Sequence, residues 1–389
     1  MYRIQTMNKI SPVGLNRFDA ALYEVGDEVQ DPQGILVRSA KLLDMEFNPS
    51  LLAIARAGVG VNNIPLDRCA AAGIPVFSTP GANANAVKEL VVCAMLMSSR
   101  DIPGAIRWVR EQAASGVEVA TVVEKGKSAF VGPELYKKTL GIIGLGAIGS
   151  IVANTAISLG MDVYGYDPFL SVDTALRLDR HVHVVKDIND LYKRADYVTL
   201  HIHYTGKTAH MIDADAIAAM KRGVRVINLA RGEIVDDEAI LAALDTGKVA
   251  VYVTDFPNNR LLTAPHVIAM PHLGASTPES EQNCAAMAVD ELTDYLENGN
   301  IRRSVNLPDM VMDRSGVERL CILHKNVPGM LANITSLFGR DGVNVENLSN
   351  KSRGEYAYTM VDLGTKVAER VIEDVLHMAN VIRVRVLEW

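Results

Sequence analysis

Three glycines, an aspartate, an arginine and a histidine carry most of the chemistry this sequence can do. Gly144, Gly146 and Gly149 stand at GxGxxG spacing directly after the apolar run TLGIIGL (139–145), and a helical pattern follows. In that setting the first glycine permits a tight turn, the second lets backbone approach a pyrophosphate, and the third lets helix pack on strand. The helix's first N–H groups, at Ala147 and Ile148, would face the phosphates. Asp167 ends the next strand-like run, 18 residues after Gly149. A carboxylate there suits a ribose 2′-OH, and Asp167-Pro168-Phe169 offers no arginine for a 2′-phosphate, so NAD is expected over NADP. Two further strand ends present Ala230-Arg231-Gly232 and Pro271-His272-Leu273-Gly274. Arginine clamps a carboxylate bidentately, and histidine exchanges protons near neutral pH. Either alone could be a surface ion pair or a satisfied loop residue. Together, after a dinucleotide fingerprint, they point to hydride transfer on a hydroxy acid.

These residues need elements to hold them. Strand-like runs at 139–145, 161–167, 195–202, 223–230, 249–255 and 266–270 alternate with amphipathic stretches. Continuous β-branched runs between helices predict a parallel sheet covered on both faces, a Rossmann-type doubly wound α/β architecture. Ligands of such sheets sit beyond the carboxyl ends of the strands, where Arg231 and His272 fall. The N-terminal stretch has strand-like runs at 34–39, 51–58 and 74–79 and reads as a smaller α/β substrate lobe. Long helical patterns at 85–100 and 278–299 would cross between the lobes and hinge them around a cleft. After a proline-containing linker (301–316), the chain reads strand, helix, strand, strand, helix, strand, the ferredoxin-like βαββαβ order. The expected domains are 1–88 with 285–310, 89–284, and 317–389.

Composition narrows the classes. The 389 residues are 49% hydrophobic and 22% charged, with net charge −7, so the chain suits a soluble globular fold. No Lys/Arg-rich stripe offers a nucleic-acid surface, and no apolar run reaches the ~18 residues that span a bilayer. Cys69, Cys93, Cys284 and Cys321 lie far apart without a CxxC pair. Neither a disulfide framework nor a metal site is expected, and a reducing cytoplasm fits. The first residues, MYRIQTMNKI, show no leader pattern.

The sequence resembles the D-isomer-specific 2-hydroxyacid dehydrogenases. The matching segments are ILVRSA (35–40), ARAGVGVNNI (55–64), TPGANANAVKEL (79–90), LGIIGLGAIG (140–149), INLARGEIVDDEAI (227–240), TDFP (254–257) and PHLGAST (271–277). Within that family it looks like the branch oxidising D-3-phosphoglycerate to 3-phosphohydroxypyruvate, the entry step of serine synthesis. The resemblance implies a flavodoxin-like substrate lobe. It assigns the substrate carboxylate to Arg231 and to the main chain of Gly58, Val59 and Gly60, and the acid–base role to His272. It places Asn83 and Ser39 in the substrate site and Arg38 and Arg56 at the substrate phosphate. It places His201, Ala230, Arg231, Asp255, His272 and Gly274 against the cofactor, with Asp255 at the nicotinamide carboxamide.

Two positions depart from the family. A glutamate that usually partners the catalytic histidine is missing after Asp255, and the ungapped position is Arg260. A guanidinium beside His272 would oppose its protonation. Asp255, Glu279 or Glu281 could serve instead, His272 could work without a carboxylate, or catalysis could be lost. His203 stands where the family more often has proline and reads as a solvent-facing loop residue.

Residues 317–389 resemble an ACT domain, an amino-acid-sensing module. Strand one would end at His324 and a helix begin at Pro328-Gly329. The resemblance makes His324, Asn326 and Asn344 an L-serine effector site, and pairing of such domains implies a homo-oligomer, dimer or tetramer. The alternatives are a broader hydroxypyruvate or glyoxylate reductase, and an NAD-binding sensor without catalysis.

Overall fold

Sixteen strands form three separate sheets in the computed structural model, which describes residues 1–389. The first sheet joins β1 (Tyr2–Met7), β2 (Tyr23–Gly26), β3 (Gly34–Val37), β4 (Ala53–Arg56) and β5 (Val76–Phe77). All pairs are parallel, in the order β2-β1-β3-β4-β5, the flavodoxin-like order. The middle strands β3 and β4 bury nearly every residue, which is why they read as continuous apolar runs. β1 buries only Ile4, and β2 is a short edge strand, so neither stood out in the sequence. The long helix Pro278–Asn298 covers β4. It also packs on the helix Pro12–Leu15, where a side chain at Gly14 would meet the Ala285 backbone at 2.6 Å.

The second sheet contains β6 (Thr139–Ile143), β7 (Asp162–Tyr166), β8 (His183–Val185), β9 (Tyr197–Leu200), β10 (Val224–Asn228), β11 (Val249–Thr254) and β12 (Val267–Ala269). It is parallel throughout, ordered β12-β11-β10-β9-β6-β7-β8, and the strand direction of winding reverses between β6 and β9. This is the Rossmann arrangement, with its ligand crevice at that reversal. The short, exposed edge strand β8 was not anticipated.

The third sheet has β13 (Glu318–Lys325), β14 (Val345–Arg353), β15 (Tyr356–Leu363) and β16 (Val381–Glu388), antiparallel in the order β14-β15-β13-β16. Helices Met330–Arg340 and Glu369–Leu376 cover one face through Ile334, Phe338, Val371 and Val375. This is the ferredoxin-like pattern expected from element order. The other face is not solvated. Cys321, Leu323, Tyr358 and Met360 enter one core with Phe77, Leu292, Tyr295 and Leu296.

Two compact units result, Met1–Asn83 with Pro278–Trp389, and Ala84–Thr277. The chain changes unit at the first residue of each long helix, Ala84 and Pro278, a few residues before the boundaries read from the sequence. Each helix lies wholly with the sheet it covers. The segment read as a linker is anchored. Arg319, wholly buried, donates to the carbonyls of Asn298, Met312 and Asp313 and to Asp362 Oδ2 at 2.7 Å. A buried guanidinium is tolerable only with such full pairing. No helix is long and apolar enough to cross a membrane.

Candidate active site

In the second unit the glycine-rich turn follows β6 directly. Gly144 has φ +92°, a left-handed value, and its N–H donates to the Tyr166 carbonyl at 2.8 Å. A Cβ there would lie 2.5 Å from the His201 carbonyl oxygen, so turn and β9 end are in close contact. Gly146 caps the helix Ala147–Ser158, and a Cβ on it would project into open space. Gly149 is the packing glycine: a Cβ would sit 1.9 Å from the Gly144 carbonyl oxygen. Asp167 follows β7 and accepts N–H groups from Leu145 (2.9 Å) and Phe169 (2.8 Å). Its carboxylate is thereby fixed beside the turn, with lone pairs left for hydroxyl donors.

The ring of His201, after β9, hydrogen-bonds the Thr199 hydroxyl at 3.1 Å. Burial pushes it down to about 3, so it is neutral at physiological pH. His203 is exposed, as its loop position implied.

The loops after β10, β11 and β12 meet. Arg231 is half-buried, and its Nη1 donates to the Ala230 carbonyl at 2.6 Å. Asn228 Nδ2 holds the Arg231 carbonyl at 2.8 Å. The Arg231 guanidinium lies over the Phe256 ring, 5.8 Å from its centroid. The His272 ring packs on that same Phe256, with centroids 4.7 Å apart and planes at 47°. Asp255, only 1% exposed, accepts the Gly274 N–H at 3.2 Å through Oδ2. Burial raises its carboxyl above the usual range, and the nearby His272 charge opposes that rise. Asp255 Oδ1 is buried without a hydrogen-bond partner.

This geometry corrects one expectation. Arg260 does not aim its charge at His272; its Nη1 pairs with Glu238 Oε1 at 3.1 Å. Glu281 pairs with Arg38 at 2.6 Å. Asp255, the first of the candidate carboxylates, is buried and bound to the Gly274 N–H two residues beyond His272.

The donor set fits a nicotinamide dinucleotide. The open side of Gly146, the first N–H groups of the helix at Ala147 and the fixed Asp167 carboxylate match a pyrophosphate and a ribose. The orphaned Asp255 Oδ1 is an acceptor of the kind a carboxamide N–H satisfies.

In the first unit, the expected substrate residues cluster at the carboxyl ends of β3 and β4. Arg56 Nε donates to the Arg38 carbonyl at 3.1 Å, and a Cβ at Gly58 (φ +151°) would strike Arg56 Nη1 at 2.3 Å. The Gly58 carbonyl accepts the Thr79 N–H at 3.1 Å, while the N–H groups of Val59 and Gly60 have no acceptor within the chain. Asn83 Oδ1 and Thr79 Oγ1 are buried without partners. Ser39 is exposed, and its N–H donates to Asn8 Oδ1 at 3.0 Å. Asn8, in a left-handed conformation (φ +80°), also holds Ala40, a role sequence reasoning missed. Asparagine tolerates that conformation, the one local signal available.

The effector residues are only partly as expected. His324 is 2% exposed, with its ring bonded to the Thr359 hydroxyl and the Lys325 carbonyl, both at 2.8 Å. Both ring nitrogens are therefore spent inside the sheet, because β13 is a central strand covered on both faces. Exposed Asn326 donates to the Gly354 carbonyl (3.2 Å), and exposed Asn344 to Glu346 Oε1 (2.9 Å). The adjacent helix begins at Met330, with left-handed Gly329 as its cap, rather than at Pro328.

Residues 92–274 match the D-isomer specific 2-hydroxyacid dehydrogenase NAD binding domain. A D-3-phosphoglycerate dehydrogenase of Haemophilus influenzae is 32% identical over 379 residues, covering 94% of this chain and 88% of that protein. The chain belongs to the D-isomer specific 2-hydroxyacid dehydrogenase family. The D-3-phosphoglycerate dehydrogenase of Methanocaldococcus jannaschii is 35% identical over 302 residues, 75% of this chain. The chain spans 55% of the length of that relative. An NAD+-bound 3-phosphoglycerate dehydrogenase from Entamoeba histolytica superposes with TM-score 0.60 at 25% identity, covering 78% of this chain and 98% of that one. Residues 320–383 match an AHAS small subunit-like ACT domain, so the C-terminal module is ACT-like.

Proposed function

We propose that this protein oxidises D-3-phosphoglycerate to 3-phosphohydroxypyruvate with NAD, in the cytoplasm, as the entry step of serine synthesis. The observation carrying this reading is that Arg231 and His272, from different strand ends, converge on Phe256. A carboxylate clamp and a proton acceptor gathered on one ring suit a 2-hydroxy acid. NAD, held by the glycine turn at Gly146, the N–H of Ala147 and Asp167, would supply the hydride acceptor for C2. His272 takes the C2 hydroxyl proton as the carbonyl forms, its ring seated on Phe256. Arg231 holds the C1 carboxylate, and in the first unit the unbonded N–H groups of Val59 and Gly60 are donors suited to an anion. Arg38 and Arg56 meet the phosphate. The exposed Arg38–Glu281 pair is weak enough for a phosphate dianion to displace.

That same pair favours a second reading, a broader reductase of hydroxypyruvate or glyoxylate, in which Arg38 stays with Glu281. Arg38→Ala and Arg56→Ala separate the two. The first reading predicts roughly tenfold higher KM for 3-phosphohydroxypyruvate with little change for hydroxypyruvate. Equal effects on both would favour the second.

The C-terminal module is assigned a small-molecule effector, L-serine by the resemblance, with Asn326 and Asn344 as its polar contacts and His324 as their support from within the sheet. A homo-oligomer is the expected state. Helices Ile102–Ala114 and Val119–Gly126 bury none of their residues, leaving Ile106, Val109 and Val123 exposed.

A further inference from the structure

We infer that Phe256 is a positioning residue that sets Arg231 and His272 relative to each other. This inference rests on the acid–base and carboxylate roles proposed above for those two residues. Phe256 lies at the end of β11, between the loop that carries Arg231 and the loop that carries His272. Its backbone is fixed, because its N–H donates to the hydroxyl of fully buried Thr254 at 3.0 Å. Its base is fixed as well: a Cβ at Gly232 would come 3.3 Å from Phe256 Cβ, so the arginine loop rests against it. One ring then receives both functional groups, the guanidinium at 5.8 Å and the imidazole at 4.7 Å.

The chemistry of that ring matters beyond its bulk. An aromatic face is electron-rich and attracts cations, so it holds the Arg231 guanidinium where a carboxylate must dock. The same ring faces the charge that develops on His272 when the substrate proton arrives. An aliphatic side chain of similar volume would fill the space and supply neither attraction. Phe256 touches no reacting atom. It acts through the two residues that do.

The experiment compares Phe256→Leu and Phe256→Tyr with the unaltered full-length protein. Steady-state reduction of 3-phosphohydroxypyruvate, hydroxypyruvate and glyoxylate by NADH is measured beside NADH affinity and Tm. The leucine variant is expected to lose about two- to fivefold in kcat and to gain about two- to fivefold in KM for the oxo acid, the size of an exposed cation–π contact on each group. NADH affinity should hold, and tyrosine should restore both constants. In the Arg231→Met background, which lacks the cation, the KM effect of leucine should shrink, since the two positions are coupled. Equal loss in the leucine and tyrosine variants, or full additivity with Arg231→Met, would overturn the inference and leave Phe256 a packing residue. If the unaltered protein reduces none of the three acids, the functional reading fails and this inference falls with it. If the unaltered protein is active and leucine changes nothing, only the inference falls.

Discussion

Gly146 and Gly149 are both glycines of the phosphate turn, yet they are constrained differently. A side chain at Gly149 would collide with the Gly144 carbonyl at 1.9 Å, whereas one at Gly146 would meet no protein atom. Gly149→Ala should therefore lower Tm as well as NADH affinity. Gly146→Ala should leave Tm unchanged and weaken NADH binding about tenfold, because that open space is where a pyrophosphate would lie. Thermal melts and NADH fluorescence titration check both. The missing family glutamate is the second matter at this scale. Arg260 is bound to Glu238, so Arg260→Ala should change kcat by less than about twofold. Asp255→Ala should reduce kcat about tenfold or more, since the buried acceptor Oδ1 and the hold on Gly274 go together. The glycine turn was legible because its spacing after a strand, with Asp167 at the next strand end, has few other uses. Phe256 was not, because nothing in a sequence distinguishes an aromatic that carries two functional groups from one that fills a core.

Elements with one buried face or two were legible for a physical reason: burial imposes a pattern. β6, β9 and β10 sit inside a parallel sheet and read as β-branched runs, while β2 and β8 are short edges with no such constraint. The helix Pro278–Asn298 is plain in its periodicity, whereas the buried acid on it carries no sequence signal. Glu291 is 2% exposed, accepts Arg303 Nη1 at 3.0 Å, and has its other oxygen unpartnered. Burial pushes it from the usual 4.5 up to about 8. Its folded form holds the proton more tightly than its unfolded form. The stabilising contribution is thus complete below about 4.5 and is lost as pH rises through about 8. Glu291→Gln should remove that slope, on the order of 5 kcal/mol across the window, in urea unfolding followed at several pH values. An unchanged slope would mean that Glu291 is ionised in the folded protein.

At the scale of the molecule, the sequence announced three modules in order but not how the last is held. Proline and mixed charge at 301–316 look like a tether, and only the fold shows Arg319 binding that stretch to β15 through Asp362. The third sheet also completes the core around Phe77 and Tyr295. Removal of residues 317–389 should therefore leave a destabilised, aggregation-prone remainder, with Tm reduced by well over the few degrees expected for loss of a tethered domain. A remainder with unchanged Tm and solubility would contradict this. The central claim is that one unit binds NAD and uses Arg231 and His272 on a phosphorylated 2-hydroxy acid. The most direct measurement is NADH oxidation by the purified protein with 3-phosphohydroxypyruvate, run beside hydroxypyruvate and glyoxylate, with and without L-serine. The account predicts selective turnover of the phosphorylated acid, suppressed by serine and reduced more than tenfold by His272→Ala. Tight NADH binding without oxidation by any of the three acids would contradict it.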